Sequence, residues 1–287
     1  MNIRFFVLFL IPILSTTSLS SAPESNARIT KYEILKKYKE VTCTLKPRNR
    51  RAEHGTHPHI PGSLKRKSNQ ASSTNWAGYA ALTNINHPAN NTVTAVEGTW
   101  TVPTDVCTQK GYAAFWVGID GYNSPTVEQI GTEHDCMNGK QTNYAWFEMY
   151  PRASFTINNF PLNPGDQITG TVEYQGNNVF QLTLRNDTQR IYTVIPSRYT
   201  IMVGAKRQSA EWIIEAPFLN NILPLANFGT AFMSECTATI NGINAPINSN
   251  SWQNINLEMI TNNNAPKAIS SPLSVGGNSF SVVWRHQ

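Results

Sequence analysis

The chain has 287 residues, room for one large domain or two ordinary ones. Only 14% of it is charged and 10% is aromatic, and its abundance of Thr, Val, Ile, Tyr, Phe and Trp favours strands over helices. Beyond the first residues there is no 18-residue apolar run and no heptad repeat, which argues against a membrane span and a coiled coil.

The N-terminus reads as an export signal over residues 1–22. Arg4 supplies the positive end, residues 5–14 an apolar core too short to cross a bilayer, and residues 15–22 the small side chains of a cleavage region. The chain is therefore expected to be secreted and extracellular, where cysteines meet an oxidising environment.

The formal net charge of +5 is unevenly spread. Residues 23–70 carry twelve Lys/Arg against four Glu, whereas residues 71–287 carry ten Lys/Arg against fourteen Asp/Glu. A basic leader with Lys36, Lys37, Arg48, Arg50, Arg51 and the run Lys65-Arg66-Lys67 could be a nucleic-acid arm or a disordered spacer. In an exported chain it reads more simply as a pro-segment held on an acidic domain by Coulomb attraction, an inhibitor of its own chain. Acid would weaken that attraction by protonating carboxylates and charging His54, His57 and His59. The Pro/Gly-punctuated stretch around these histidines reads as the domain boundary. No nucleic-acid or membrane partner is expected, and the folded part should act as a monomer.

The folded domain is expected over residues 71–287 as an all-β antiparallel sandwich. Its segments are short and alternate with period two, as in Ile168, Gly170, Val172 and Tyr174, or Phe280, Val282 and Trp284. Turn residues such as Asn163-Pro164-Gly165-Asp166 and Gly276-Gly277-Asn278 separate them. No helix longer than about two turns is expected. Of the four cysteines, Cys107 and Cys136 flank a pair of adjacent strands. A bridge between them would contribute about 3–4 kcal/mol in the chain-entropy model. Cys43 lies in the leader and Cys236 would be a buried thiol. Asn90 and Asn186 open glycosylation sequons.

Parity sorts the stretch 113–150. Phe115, Val117 and Ile119 share one strand face, with Trp116, Gly118 and Asp120 opposite; Ala145, Phe147 and Met149 share another, with Tyr144, Trp146, Glu148 and Tyr150 opposite. The first sets read as core. The second read as a cleft of aromatics and carboxylates suited to an extended polymer, a peptide or a glycan. In residues 209–217, Trp212 and Ile214 face one way while Glu211, Ile213 and Glu215 face the other, either a solvated sheet face or a functional one.

Other catalytic sets find little support. The histidines of this region, His87, His134 and His286, stand beside no Gly-x-Ser-x-Gly elbow. There is no Asp-Thr-Gly pair and no phosphate-cradling loop. A zinc site would need Glu133, His134, Asp135 and Cys136, whose neighbours on a strand point to opposite faces. No metal or cofactor is expected.

Six blocks carry a resemblance: Ser73-Thr74-Asn75-Trp76-Ala77-Gly78, Gly98-Thr99-Trp100-Thr101-Val102-Pro103, Trp116-Val117-Gly118-Ile119-Asp120-Gly121, Gln129-Ile130-Gly131-Thr132, Ala145-Trp146-Phe147-Glu148-Met149-Tyr150-Pro151 and Ala210-Glu211-Trp212-Ile213-Ile214-Glu215. In this order they resemble the signature blocks of the glutamic peptidases, the eqolisins, over about residues 72–232. The resemblance implies a concanavalin-like sandwich of two large antiparallel sheets. It implies a catalytic pair at Gln129 and Glu215, with Trp76, Asp120, Trp146 and Glu148 lining or supporting the cleft and Tyr144 holding the peptide. Fungal members have Leu-Gln-Thr-Gly where this chain has Glu128-Gln129-Ile130-Gly131, a change that parity places on the face away from Gln129. Glu215, at an ordinary pKa of about 4.3, would take a proton from water and return it to the leaving amine. Gln129 would hold that water and stabilise the oxyanion. The expected activity is therefore a secreted, acid-acting endopeptidase on unfolded or extended polypeptides. The alternative is a concanavalin-like carbohydrate binder or glycoside hydrolase using a carboxylate pair such as Glu148 and Glu215.

Overall fold

The structure is a computed structural model that describes residues 33–48 and 69–287. The export signal, His54, His57, His59 and Lys65-Arg66-Lys67 lie outside the described residues. Two compact units are present, residues 1–37 and 38–287. Of the first, a helical turn at 33–35 is described, with Lys36 paired to Glu33 at 2.6 Å.

The second unit is built of strands: β1 (Lys39–Glu40), β2 (Thr44–Pro47), β3 (Gln70–Ser73), β4 (Trp76–Leu82), β5 (Val93–Thr101), β6 (Gly111–Ile119), β7 (Val127–Met137), β8 (Lys140–Tyr150), β9 (Phe155–Asn158) and β10 (Gln167–Gly176). The chain continues through β11 (Val179–Asn186), β12 (Ile191–Val194), β13 (Ser209–Glu215), β14 (Phe218–Leu219), β15 (Asn221–Ile222), β16 (Thr230–Ile240), β17 (Ile243–Pro246), β18 (Gln253–Ile260), β19 (Pro266–Ser270) and β20 (Phe280–Trp284). Among the described residues of this unit the only helical piece is the three-residue 3₁₀ turn Ser197–Tyr199.

These strands form two layers. One runs β12–β11–β10–β5–β16, the other β18–β4–β13–β6–β7–β8–β9, all antiparallel neighbours. The layers are hydrogen-bonded edge to edge, because β20 pairs with both β16 and β19, and β19 pairs with β18. The expected sandwich is thus one ladder folded over on itself. Between its layers lies the main core, where Trp100, Phe115, Val117, Phe147, Ile168, Val172, Leu182, Trp212 and Ile214 are fully or almost fully buried. Burying an indole leaves its N–H to be satisfied. Trp212 Nε1 donates to the Glu97 carbonyl at 2.7 Å and Trp100 Nε1 to the Thr132 hydroxyl at 2.9 Å.

A second apolar cluster covers the opposite face of the β4–β13–β6–β7–β8 layer and contains Trp76, Ala114, Trp116, Trp146 and Ile213. Parity alone separates it from the core. Gly131 keeps this layer close-packed, since a Cβ there would lie 2.1 Å from the Phe115 carbonyl oxygen of β6. Cys107 and Cys136 form a disulfide with Cα atoms 5.1 Å apart, tying the loop before β6 to the end of β7; Cys43 and Cys236 are free thiols. Asn186 is fully buried, its Nδ2 donating to Asp166 at 2.8 Å, so the folded chain offers no room for a glycan there, whereas Asn90 is exposed.

Residues 38–48 of the leader belong to this second unit. β1 pairs in parallel with β12, at the edge of one layer, and β2 pairs antiparallel with β9, at the edge of the other, in the register Leu45↔Ile157. Edge strands carry unpaired backbone groups, and the leader satisfies them on both layers. Cys43 and Leu45 pack against the core.

Candidate active site

The site lies on the second apolar face. Along β7, Gln129, Gly131 and Glu133 turn onto it while Ile130 enters the main core. Register then lays residues out in rows across the layer. Glu211, Gly118, Gln129 and Glu148 stand level on β13, β6, β7 and β8. Next come Ile213, Trp116, Gly131 and Trp146, and then Glu215, Ala114, Glu133 and Tyr144. Gln129 and Glu215 therefore share a face, two strands apart and four positions out of register, with Trp116 in the row between.

Glu215 is held by neutral N–H donors, among them Trp116, Trp76 and Asn75. Trp116 Nε1 reaches its Oε2 at 2.8 Å and Asn75 Nδ2 its Oε1 at 3.1 Å. The Asn75 amide is aimed by a local turn: the Ser73 hydroxyl accepts the N–H of Trp76 at 3.1 Å and donates to Asn75 Oδ1 at 3.1 Å. The Asn75 carbonyl accepts the Ala216 N–H at 2.8 Å, which fixes the end of β13. Burial pushes the Glu215 carboxyl up to about 8, the Trp116, Trp76 and Asn75 N–H groups oppose it, and Glu133, across Ala114, adds to the rise. This differs from the ordinary acidity expected from the sequence. The cause is that Glu215 is wholly buried, and desolvation disfavours the anion.

Gln129 is buried too, and its Nε2 donates to Glu148 Oε2 at 2.8 Å. Glu148 thus orients the amide rather than competing as a second acid. Asp120 sits in the left-handed region at φ 71° and accepts the N–H groups of Arg207 at 2.6 Å and Gln208 at 2.8 Å. It anchors the segment that leads into β13 and acts as a scaffold for Glu211 and Glu215. Trp76 meets Trp116 edge-on at 5.1 Å, and Trp146 stands cross-strand from Gly131. Tyr144 lies at the end of the Glu215 row and is engaged by the leader: Arg48 Nη2 donates to its hydroxyl at 2.7 Å and Arg48 Nη1 to Glu133 Oε2 at 2.7 Å.

Three contributors escaped the list of expected site residues. Asn75 stood inside the first signature block and Trp116 on the cleft side by parity. Glu133 shares the parity of Gln129 but was considered only as a zinc ligand. Of the other members of that set, Cys136 is committed to the disulfide, and His134 is buried against Phe115 with centroids 4.8 Å apart, burial pulling its pKa down to about 3.

One face of this two-layer antiparallel sandwich thus gathers buried carboxylates, a buried amide and indoles. Residues 74–284 match the model of the peptidase A4 family. Among solved structures, scytalido-glutamic peptidase with a peptide-based transition-state analogue is similar at 22% identity and TM-score 0.60, over 74% of this chain and 99% of that one. SCP-B, an eqolisin in complex with the tripeptide Ala-Ile-His, is similar at 21% identity and TM-score 0.56, over 74% and 99%. Aspergilloglutamic peptidase from Aspergillus niger is similar at 22% identity and TM-score 0.54, over 61% and 99%. No curated protein sequence matches. The chain belongs to the peptidase A4 family, the glutamic peptidases.

Proposed function

We propose that the protein is a secreted, acid-acting endopeptidase, made with an inhibitory leader, in which Glu215 and Gln129 carry the chemistry. The observation that carries this reading is the Glu215 carboxyl, buried, gripped by neutral N–H donors and on the same face as the Gln129 amide. In the reaction a water gives its proton to the Glu215 carboxylate while its oxygen bonds to the scissile carbonyl carbon. The oxyanion accepts an N–H of Gln129, whose other N–H is held by Glu148. Glu215 then returns the proton to the amide nitrogen as the C–N bond breaks. With its pKa raised by burial, Glu215 is kept protonated in the closed chain, unable to act as a base. Entry of water into the cleft with the substrate would lower that pKa toward the carboxylate range. The aromatic face of Trp76, Trp116 and Trp146 suits an extended polypeptide, and family membership favours peptide over glycan.

A second assignment keeps the chemistry and exchanges the acid-base residue. Glu211, not Glu215, stands level with Gln129, across the side-chain-free Gly118. Assay of the acid-treated protein on an unfolded protein substrate at pH about 3.5 and 7 tests the activity, and Gln129→Ala tests the oxyanion role. Turnover confined to acid and a loss of about 100-fold in kcat in that variant are expected. Equal turnover at both pH values, or an undiminished variant, would reject the proposal.

A further inference from the structure

We propose that the cavity lined by Lys267, behind the turn that grips Glu215, is a carboxylate-binding site that takes an acidic side chain or the chain end of a peptide. The word peptide rests on the peptidase reading, but the anion site stands on geometry of its own. On β18, Met259 and Ile260 stand opposite Ala268 and Pro266 of β19, so Lys267 is the extra residue of a β-bulge, a device that re-aims a side chain. Ala268 enters the main core, whereas Lys267 lines a cavity of about 360 Å³. Lys267 is 6% exposed, yet its ammonium makes no hydrogen bond or ion pair among the described residues. A lysine ordinarily carries its head group out to water, and a charge kept inside costs free energy until an anion pairs with it. Burial alone pulls Lys267 down to about 8, so below that pH it stands as an unmatched cation.

The lining describes the anion. Thr74, Thr261 and Asn262 bring hydroxyl and amide groups to the cavity, while Ile222, Leu223 and Ile260 bring apolar surface. The Thr261 hydroxyl accepts the Ala265 N–H at 3.0 Å, which leaves its own proton for a ligand oxygen. No second cationic side chain lines the cavity among the described residues, so one ammonium with neutral donors balances a monoanion and leaves a phosphate dianion half unmatched. A carboxylate on an apolar stem suits both parts of the lining. Position ties the cavity to the Glu215 end of the site. Ser73 stands level with Met259 on the parallel β3–β18 pair, and the residues that follow them, Thr74 and Ile260, both enter the cavity wall. Thr74 thus lies between Ser73 and Asn75, the two residues that aim the amide at Glu215. Ile222 and Leu223 come from the segment that returns after β13, where the Leu223 N–H donates to the Pro217 carbonyl at 2.8 Å. A carboxylate seated on Lys267 is therefore separated from the proposed acid-base residue by a single turn of backbone.

The test titrates the full chain at about pH 6, where carboxylates are ionised and lysine is protonated, and follows the Thr74, Thr261 and Lys267 amides by NMR. The probes are N-acetyl-leucine, the α-amide of N-acetyl-glutamate, and N-acetyl-leucine amide, which lacks a carboxylate. At least one of the two carboxylates should bind about tenfold tighter than the uncharged probe, and Lys267→Met, which keeps an apolar stem and removes the charge, should abolish the preference. Tighter N-acetyl-leucine assigns the site to a chain end, and tighter N-acetyl-glutamate α-amide assigns it to an acidic side chain. Equal binding of all three probes, or a preference that survives Lys267→Met, overturns the site. Should Lys267→Met not fold, the parent decides: carboxylate-dependent shifts at the three cavity amides are expected, and shifts elsewhere with these amides unmoved overturn the proposal. In a separate arm, cleavage sites made in an unfolded protein by the acid-treated enzyme are mapped. Acidic residues or chain ends enriched at one fixed distance from the cut, with the enrichment lost in Lys267→Met, are expected; cleavage with no such enrichment overturns the substrate role. No cleavage at all would count against the peptidase reading, and the binding arm would still decide the anion site.

Discussion

Asp105 offers a quantitative test of how this fold depends on acid. Its carboxyl is buried beside the disulfide, and burial alone raises it from 3.8 to about 7. A carboxyl whose folded-state pKa lies above its unfolded value stabilises the fold while protonated. The contribution is present below about pH 4 and is lost as pH rises toward 7, because only the unfolded chain releases the proton in that window. At roughly 1.4 kcal/mol per unit the loss approaches about 4 kcal/mol, an upper figure for a site that water can reach by local relaxation. Asp105→Asn removes the titration while keeping the shape. Urea unfolding at pH 4, 5.5 and 7 should show parental stability falling steeply and the variant falling less, with the variant more stable at pH 7 by about 2–4 kcal/mol. Equal slopes for the two proteins would refute the reasoning.

Glu128 and Glu211 are also fully buried, with carboxyls raised well above 4.5 mainly by burial, so Glu128→Leu should raise the urea midpoint at pH 7 more than at pH 4. Trp116→Phe removes a donor that favours ionised Glu215; the acid limb of the pH–rate profile should move to higher pH by about one unit, and an unmoved limb would count against the contact. Gly131→Ala drives a Cβ into the Phe115 carbonyl at 2.1 Å and should destabilise the fold by about 3 kcal/mol or more in urea unfolding. Replacing Cys107 and Cys136 together by Ser should cost about 3–4 kcal/mol in the same assay, given their separation of 29 residues.

Much of the site was legible because strand parity is a strict rule. Trp116, Trp146, Glu148, Glu211 and Glu215 all reach the face that period-two alternation assigned them, and Phe115, Phe147 and Trp212 all enter the core. What parity does not give is register. It could not tell that Glu211 rather than Glu215 stands level with Gln129, or that Glu133 and Tyr144 are partners, because register depends on turn lengths and on backbone pairing. Nor did composition foresee that acidity is set by burial: Glu215 reads as an ordinary glutamate until the surrounding indoles and the closed face are known. The leader was legible only as charge. That one of its arginines forms a specific buried pair, and that its strands extend both sheet edges, follows from backbone hydrogen bonds with no local signature.

The central claim is that Glu215, working with Gln129, is the acid-base residue of a peptide hydrolysis. Its most direct test is single-turnover hydrolysis of an unfolded protein at pH about 3.5 by acid-treated parent, Glu215→Gln and Glu211→Gln, each checked for native circular dichroism. The account predicts that Glu215→Gln is folded and without detectable turnover while Glu211→Gln retains measurable activity. A folded Glu215→Gln protein that still cleaves, beside an inactive Glu211→Gln, would contradict it and move the acid-base role to Glu211.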